Sequence, residues 1–260
     1  MKKHILMLLA FVMWGMMGQV CVAKPATESD YYLRLCTENL EQGNYDDAMG
    51  YANQHIEEYP TSANGYYYRM VINAALKRYA NALLDVNNCI KYRKNSPDIM
   101  ESTLYWWRAT IYEKIERYHN ALDDFTKAYK LALKGKDAAT ARTILSARAE
   151  LYYTLKDYDK ALSMYHKALK IEEQLSEPLS LDLVDSYRNM ADLYAEKKEY
   201  DEALTWHDKA LKIQEQALDS QHIDLARTYS NIGGVKEVQK KYDEALTFHN
   251  KAVAIREKVL

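Results

Sequence analysis

Proline and glycine are scarce in this chain, four and eight among 260 residues, so turn signals are few. Phenylalanine is scarcer still, three copies against 23 tyrosines. Tyrosine buries a large ring and keeps a polar tip, which suits packed helix pairs whose edges meet water. An excess of one charge is also lacking. The formal net charge of -2 implies no general affinity for nucleic acid. Signatures of catalysis are missing too. Gly233-Gly234 falls inside a helical pattern and makes no phosphate loop. There is no His-Glu-x-x-His, and the cysteines lack zinc spacing. Carboxylates are plentiful but scattered, with no pair standing out as an acid–base couple. These absences point away from an enzyme and imply neither metal nor cofactor. What is present, 48% hydrophobic and 28% charged residues, is enough to bury a core and remain soluble, and argues against disorder.

The first residues are a different material. Lys2 and Lys3 precede an uncharged run from Ile5 to Ala23 containing Leu8, Leu9, Phe11, Val12, Trp14 and Met16. A basic start, an apolar stretch and small Ala23 read as a signal peptide over 1–23, with an exported chain, periplasmic or in the cell envelope, starting at Lys24. Two alternatives stay open. One is an uncleaved membrane anchor, although Gly15, Gly18 and Gln19 break the run. The other is a lipid on Cys21, although Val20 is not the small residue such a signal usually carries there. Losing 1–23 removes Lys2 and Lys3 and no acid, taking the charge from -2 to -4. Cys36 and Cys89 then remain, expected as small buried residues, with a disulfide between them as the alternative.

One pattern repeats along the rest of the chain. Tyr-x-x-Ala occurs at Tyr45/Ala48, Tyr79/Ala82, Tyr118/Ala121, Tyr158/Ala161, Tyr200/Ala203 and Tyr242/Ala245. Seven residues after each alanine come His55, Cys89, Ala128, Ala168, Ala210 and Ala252; twelve before come Cys36, Met70, Ala109, Ala149, Ala191 and Gly233. Helices approach closely only where small side chains meet. The spacing therefore predicts helical hairpins in which Ala203 and Ala210 face Ala191 and Tyr200 opens the second helix. Leu204, His207 and Leu211 extend that stripe. A single hairpin cannot bury its own stripe, so neighbours must stack.

On these residues the array resembles tetratricopeptide repeats. The first hairpin fits the 34-residue form through Leu35, Gly43, Ala48 and Pro60. The later segments Ser186–Tyr194 and Gln221–Gly233, and the ending Ala254–Leu260, are similar to the 42-residue kinesin-light-chain-like subtype. The resemblance implies an all-α fold, a right-handed superhelical solenoid of about six helix-turn-helix hairpins at about 29–60, 63–95, 102–134, 142–176, 184–218 and 226–260 within a 24–260 array. His55 with Ala52, and Met70 with Asn73, depart from the repeat pattern. The stretch from Leu175 to Asp182, with Pro178, is the inter-repeat turn expected to be mobile.

The resemblance also implies a concave face lined by first helices. The side chains beside the packing stripe there are Tyr67, Tyr68, Trp106, Trp107, Arg188, Asn189, Arg227 and Asn231. Asn189 and Asn231 match the asparagine that such repeats aim at a bound peptide backbone, and an amide both donates and accepts. Adjacent Trp106 and Trp107 cannot share a helix face, so one packs inward and the other is a contact candidate. His166, His207 and His249 on second helices are expected as seam residues and not as metal ligands.

Charge varies along the chain. Residues 24–60 hold eight acids and two bases, 61–150 nine and fifteen, and 151–260 twenty and sixteen. That is either a set of solvated faces or a field that steers a partner. The sixth hairpin ends in Ala252–Leu260 with no polar cap, which predicts a longer parent chain or docking of this end on another copy or a partner. The expected function is a protein- or peptide-binding scaffold in the envelope; the alternative is the sensory part of an envelope signalling protein.

Overall fold

The computed structural model describes residues 28–176 and 180–259. The leader, with its anchor and lipid alternatives, lies outside them. So do Pro178 in the turn expected to be mobile, and Leu260. Among the described residues there are twelve α-helices and no strand: α1 (Glu28–Gln42), α2 (Tyr45–Glu58), α3 (Ala63–Ala75), α4 (Tyr79–Tyr92), α5 (Glu101–Lys114), α6 (Tyr118–Lys134), α7 (Ala138–Thr154), α8 (Tyr158–Leu175), α9 (Asp182–Glu196), α10 (Tyr200–Ala217), α11 (Ile223–Val238) and α12 (Tyr242–Val259). A short 3-10 turn, Arg93–Asn95, follows α4 ahead of Pro97. No described helix is long and apolar enough to cross a membrane.

All six second helices begin at the tyrosine of Tyr-x-x-Ala. The reason lies in the turn before it. Lys77, Glu116, Lys156, Lys198 and Lys240 adopt positive φ between 58° and 66°, and Gly43 adopts 77°. A left-handed residue lets the chain reverse while closing the preceding helix. Lys77 N donates to Ala74 O at 3.0 Å and Arg78 N to Asn73 O at 2.7 Å. The same pair of bonds recurs at Lys198 and Glu199, onto Ala195 O and Tyr194 O, both at 2.9 Å. Only the first hairpin uses glycine here; each lysine or glutamate carries the steric strain of its Cβ.

The seams form as the spacing predicts. Ala48, Ala82, Ala121, Ala161 and Ala203 have no exposed surface, nor do Ala109, Ala149 and Ala191 on the facing helices. Ala210 and Ala252 close the second contact of their hairpins, also without exposed surface. Gly233 takes the place of the facing alanine on α11 because a Cβ there would stand 2.7 Å from the His249 ring. Cys36 and Cys89 are buried free thiols, and burial pushes the Cys36 thiol up to about 12.

The chain divides into two compact units, one ending at Leu131 and the other running from Ala132. Their hairpins are held differently. In the first unit Arg69 on α3 reaches across to Asp85 on α4 at 2.7 Å, and Asn73 donates to the same carboxylate at 2.9 Å. A hairpin later Arg108 binds Asp124 with two nitrogens, at 2.7 and 2.9 Å. These pairs stand one residue before the facing position, Met70 or Ala109, and three after the seam alanine. In the second unit the same two positions hold Met190 and Trp206, then Ile232 and Phe248. Met190 and Ile232 are buried apolar side chains. The α7–α8 hairpin is intermediate: Arg148 stands opposite Met164, and its Nε is buried without an acceptor.

Other polar bridges join successive hairpins of the second unit. Glu172 on α8 is buried and takes bonds from Arg142 at 3.0 Å and from Ser186, the latter on α9. One repeat later Thr228 on α11 donates to Gln214 on α10 at 2.6 Å, in the register of Ser186 and Glu172. Leu204 and Leu211 pack against Leu225 and Ala226 across that junction. At α12 the residues in the Leu204 and Leu211 registers are Leu246 and Val253, 59% and 45% exposed, while Ile255 is buried.

Candidate functional site

The candidate residues fall mostly in two registers of the first helices, two and three residues before the facing small residue. In the first unit packing claims most of that surface. Tyr67 is 2% exposed and Trp107 6%, both in the core with Val86, Ile99 and Leu104. The Tyr67 hydroxyl turns toward the Trp107 indole without hydrogen-bond geometry, and burial raises its pKa. Tyr67 and Trp107 are therefore core residues and offer no surface to a partner. The reason is bulk: an indole or phenol beside the seam fills the gap between α3 and α5. Trp106 stacks edge-on against Trp107 at 5.2 Å and stays half-buried, so of the adjacent pair Trp107 is the inward one. Tyr68 is half-buried and accepts a bond from Thr37 at 3.0 Å.

The second unit presents its candidates differently. Asn189 on α9 is exposed, and Asn231, in the same register on α11, is half-buried. Arg227 is exposed and paired with Asp224 one turn back at 2.9 Å. Arg188 is mostly covered, 14% exposed, paired with Asp185 and lying close to His207. The two asparagines thus share a face, while the two arginines are already neutralised by aspartates on their own helices.

A group that sequence reasoning missed lies along the same helices. One and five residues beyond the facing Ala191 stand Asp192 and Glu196. Glu150, on α7 in the Asp192 register, acts with Asp192 and Tyr153 on the Tyr165 hydroxyl, whose pKa is raised first by burial. Asp192 is raised by burial and by Glu196, against the lowering pull of Arg188. Glu196 also raises the Tyr153 hydroxyl, after burial. Beneath them His207 is 1% exposed. Its Nε2 points at Asp192 Oδ1 from 3.9 Å, and its Nδ1 has no partner. Burial and Arg188 push its pKa down to about 4, so the ring is neutral at pH 7. The register one turn past Ala191 was the available signal, but acids on an exposed face look like ordinary solvation until the structure shows what lies under them.

The three second-helix histidines prove not to be one repeated position. His207 and His249 stand four residues after the seam alanine, His166 five. That one-residue step puts His207 in the seam, leaves His249 half-buried over Gly233, and turns His166 outward against Trp206 at 5.8 Å. Among the described residues no three His, Cys, Asp or Glu side chains gather as metal ligands.

The tetratricopeptide repeat family profile matches residues 100–174 and 182–258, more than half of the chain. The chain belongs to the tetratricopeptide repeat family. Among solved structures it is similar to BtubC (BKLC) from P. vanneervenii, at 17% identity and TM-score 0.66, over 90% of this chain and 92% of that one. It is also similar to the nearly identical TPR-like repeats of a kinesin-light-chain-type protein from Podosopora anserina, at 13% identity and TM-score 0.66, over 78% and 98%. A third is YrrB, described as a TPR protein with an unusual peptide-binding site, at 19% identity and TM-score 0.54, over 79% and 92%. At these identities the likeness is one of fold. No curated protein sequence matches the chain.

Proposed function

We propose that this chain is a non-enzymatic scaffold that holds a protein or peptide partner on the first helices of its hairpins, outside the cytoplasm. One observation carries the reading. Asn189 and Asn231 keep the same register on α9 and α11 and are not swallowed by the seams, while the next residue in each helix, Met190 or Ile232, is buried. An amide held on a rigid helix donates to and accepts from an extended backbone, so two in register grip a chain without demanding one sequence. The peptide-binding site named for YrrB agrees with this use of the fold. Export rests on the pattern from Lys2 to Ala23.

The test uses the full chain and its Asn189→Ala/Asn231→Ala variant to retain proteins from an envelope extract, with each retained protein then titrated. The variant should keep its circular dichroism and lose about 0.5–1.5 kcal/mol of affinity per amide. Unchanged affinity would put the contact surface elsewhere. Sequencing the N-terminus of the envelope-associated protein should find Lys24; an intact Met1 would overturn the cleaved signal.

A further inference from the structure

We infer that Gly234 on α11 is where an extended partner chain passes closest to the scaffold, and that this partner sets an apolar side chain on Val238, one turn further along. The inference rests on the reading that a partner lies across Asn189 and Asn231, and it names the residues that decide which chain fits there.

Two glycines stand side by side in α11, and only one has a reason inside the fold. Gly233 makes room for His249, since a Cβ there would meet the ring at 2.7 Å. A Cβ on Gly234 would meet nothing within 4 Å. Its backbone is helical and not left-handed, so neither packing nor conformation asks for glycine. Glycine inside a helix weakens it relative to alanine, because more backbone freedom is lost on folding. A weakening residue where alanine fits freely is accounted for by something that arrives from outside. Glycine is the residue that lets a second backbone come close.

The surroundings specify what arrives. Gly234 lies three residues after Asn231 and four before Val238, so the three share one face of α11. Asn231 and Gly234 are half-buried, while Val238 is 59% exposed. A chain whose backbone bonds the Asn231 amide is thereby brought down over the bare backbone of Gly234, with Val238 a turn away. Covering Val238 with an apolar side chain removes both from water. The same two registers hold Asp192 and Glu196 on α9, and Glu150 and Thr154 on α7. Among the described first helices only α11 pairs glycine with an aliphatic residue there, so the apolar preference belongs to α11. Gly50 is equally open but stands exposed on a second helix, α2, and serves as the control.

The experiment titrates the isotopically labelled full chain by NMR with the capped peptide Gly-Ser-Ser-Leu-Ser-Ser-Gly and its counterpart with glutamine in place of leucine. The leucine peptide should shift the amides of Asn231, Gly234 and Val238 and bind about fivefold more tightly than the glutamine peptide. Gly234→Ala should raise the melting temperature by about 1–4 °C. The same variant should bind the leucine peptide at least about tenfold more weakly. Gly50→Ala should raise the melting temperature similarly and leave binding alone. Val238→Ser should bind the two peptides alike. If Gly234→Ala is no more stable than the parent, the glycine has a reason inside the fold and the inference is overturned. If Gly234→Ala keeps its affinity while the peptide still shifts Asn189 and Asn231, the inference is overturned and the binding face stands. If the leucine peptide shifts nothing on α11, the inference is likewise overturned, and the binding face is judged by the asparagine variants alone.

Discussion

The two units use one repeat and hold it together in opposite ways. In the first, hairpins α3–α4 and α5–α6 are clasped by arginine–aspartate pairs, with aromatic rings packed beside them. In the second, α9–α10 and α11–α12 put Met190, Trp206, Ile232 and Phe248 at those positions, and the acids Asp192 and Glu196 stand exposed further along the first helix. A buried ion pair is geometrically exacting and contributes little net stability, while an apolar contact tolerates change but specifies less. Buried charge therefore clasps two hairpins of the first unit, whereas in the second it is kept to the Arg142–Glu172 bridge and the last two hairpins close on apolar contacts.

The largest effect should come from breaking a clasp. Arg69→Ala strands Asp85, 3% exposed at its side chain, and should cost about 3–5 kcal/mol in denaturant unfolding. Arg69→Met/Asp85→Leu, which gives the first unit the second unit's chemistry, should recover most of that loss. A double variant as unstable as the single one would break the comparison.

A second test is pH. His207 is buried neutral, its folded pKa about 4 against an unfolded 6.5. Below pH 6.5 the unfolded chain takes up a proton that the folded one refuses. Stability is therefore lost as pH falls from 6.5 toward 4, by roughly 3 kcal/mol at full effect. Asp192, with its raised pKa, works the other way and blunts the slope. His207→Phe should flatten the profile of the second unit; an unaltered profile would remove His207 from the account.

Next in size is the end of the array. Leu204→Ala should cost about 2–3 kcal/mol, because Leu204 packs on α11. Leu246→Ala, in the same register but 59% exposed, should cost under about 0.5 kcal/mol by thermal unfolding. Equal costs would mean that α12 is covered in solution.

The smallest test concerns the turns. Lys198 sits at φ 66°, and Lys198→Gly should gain about 0.5–1 kcal/mol by removing the Cβ strain. Gly43→Ala in the first unit should lose a similar amount; the same sign for both would refute the left-handed argument.

Much of the fold could be read from the alanines and tyrosines, because a helix crossing tolerates only small residues and that demand recurs with the repeat. Tyr-x-x-Ala marked the start of every second helix. The candidate site was less legible. That Asn189 and Asn231 share one register could be read because the register repeats; a role in binding remains a proposal. Tyr67 was misplaced, and the choice between Trp106 and Trp107 as the inward ring stayed open, because a large aromatic near the stripe serves a seam or a surface equally well on pattern alone. The clasps escaped notice because Arg69 and Asp85 are 16 residues apart on different helices and meet only when the hairpin closes.

By itself, then, the sequence determined the helical hairpin, its length and its family, since these follow from local spacing and from where small residues fall. Tertiary structure alone decided which side chains are left over. Whether an aspartate ends up buried, as Asp85 is, or exposed, as Asp192 is, depends on what the facing helix brings, a guanidinium from Arg69 in one case and the buried ring of His207 in the other. Burial strengthens a charge interaction by excluding water, and burial is a property of packed neighbours that spacing along the chain does not carry.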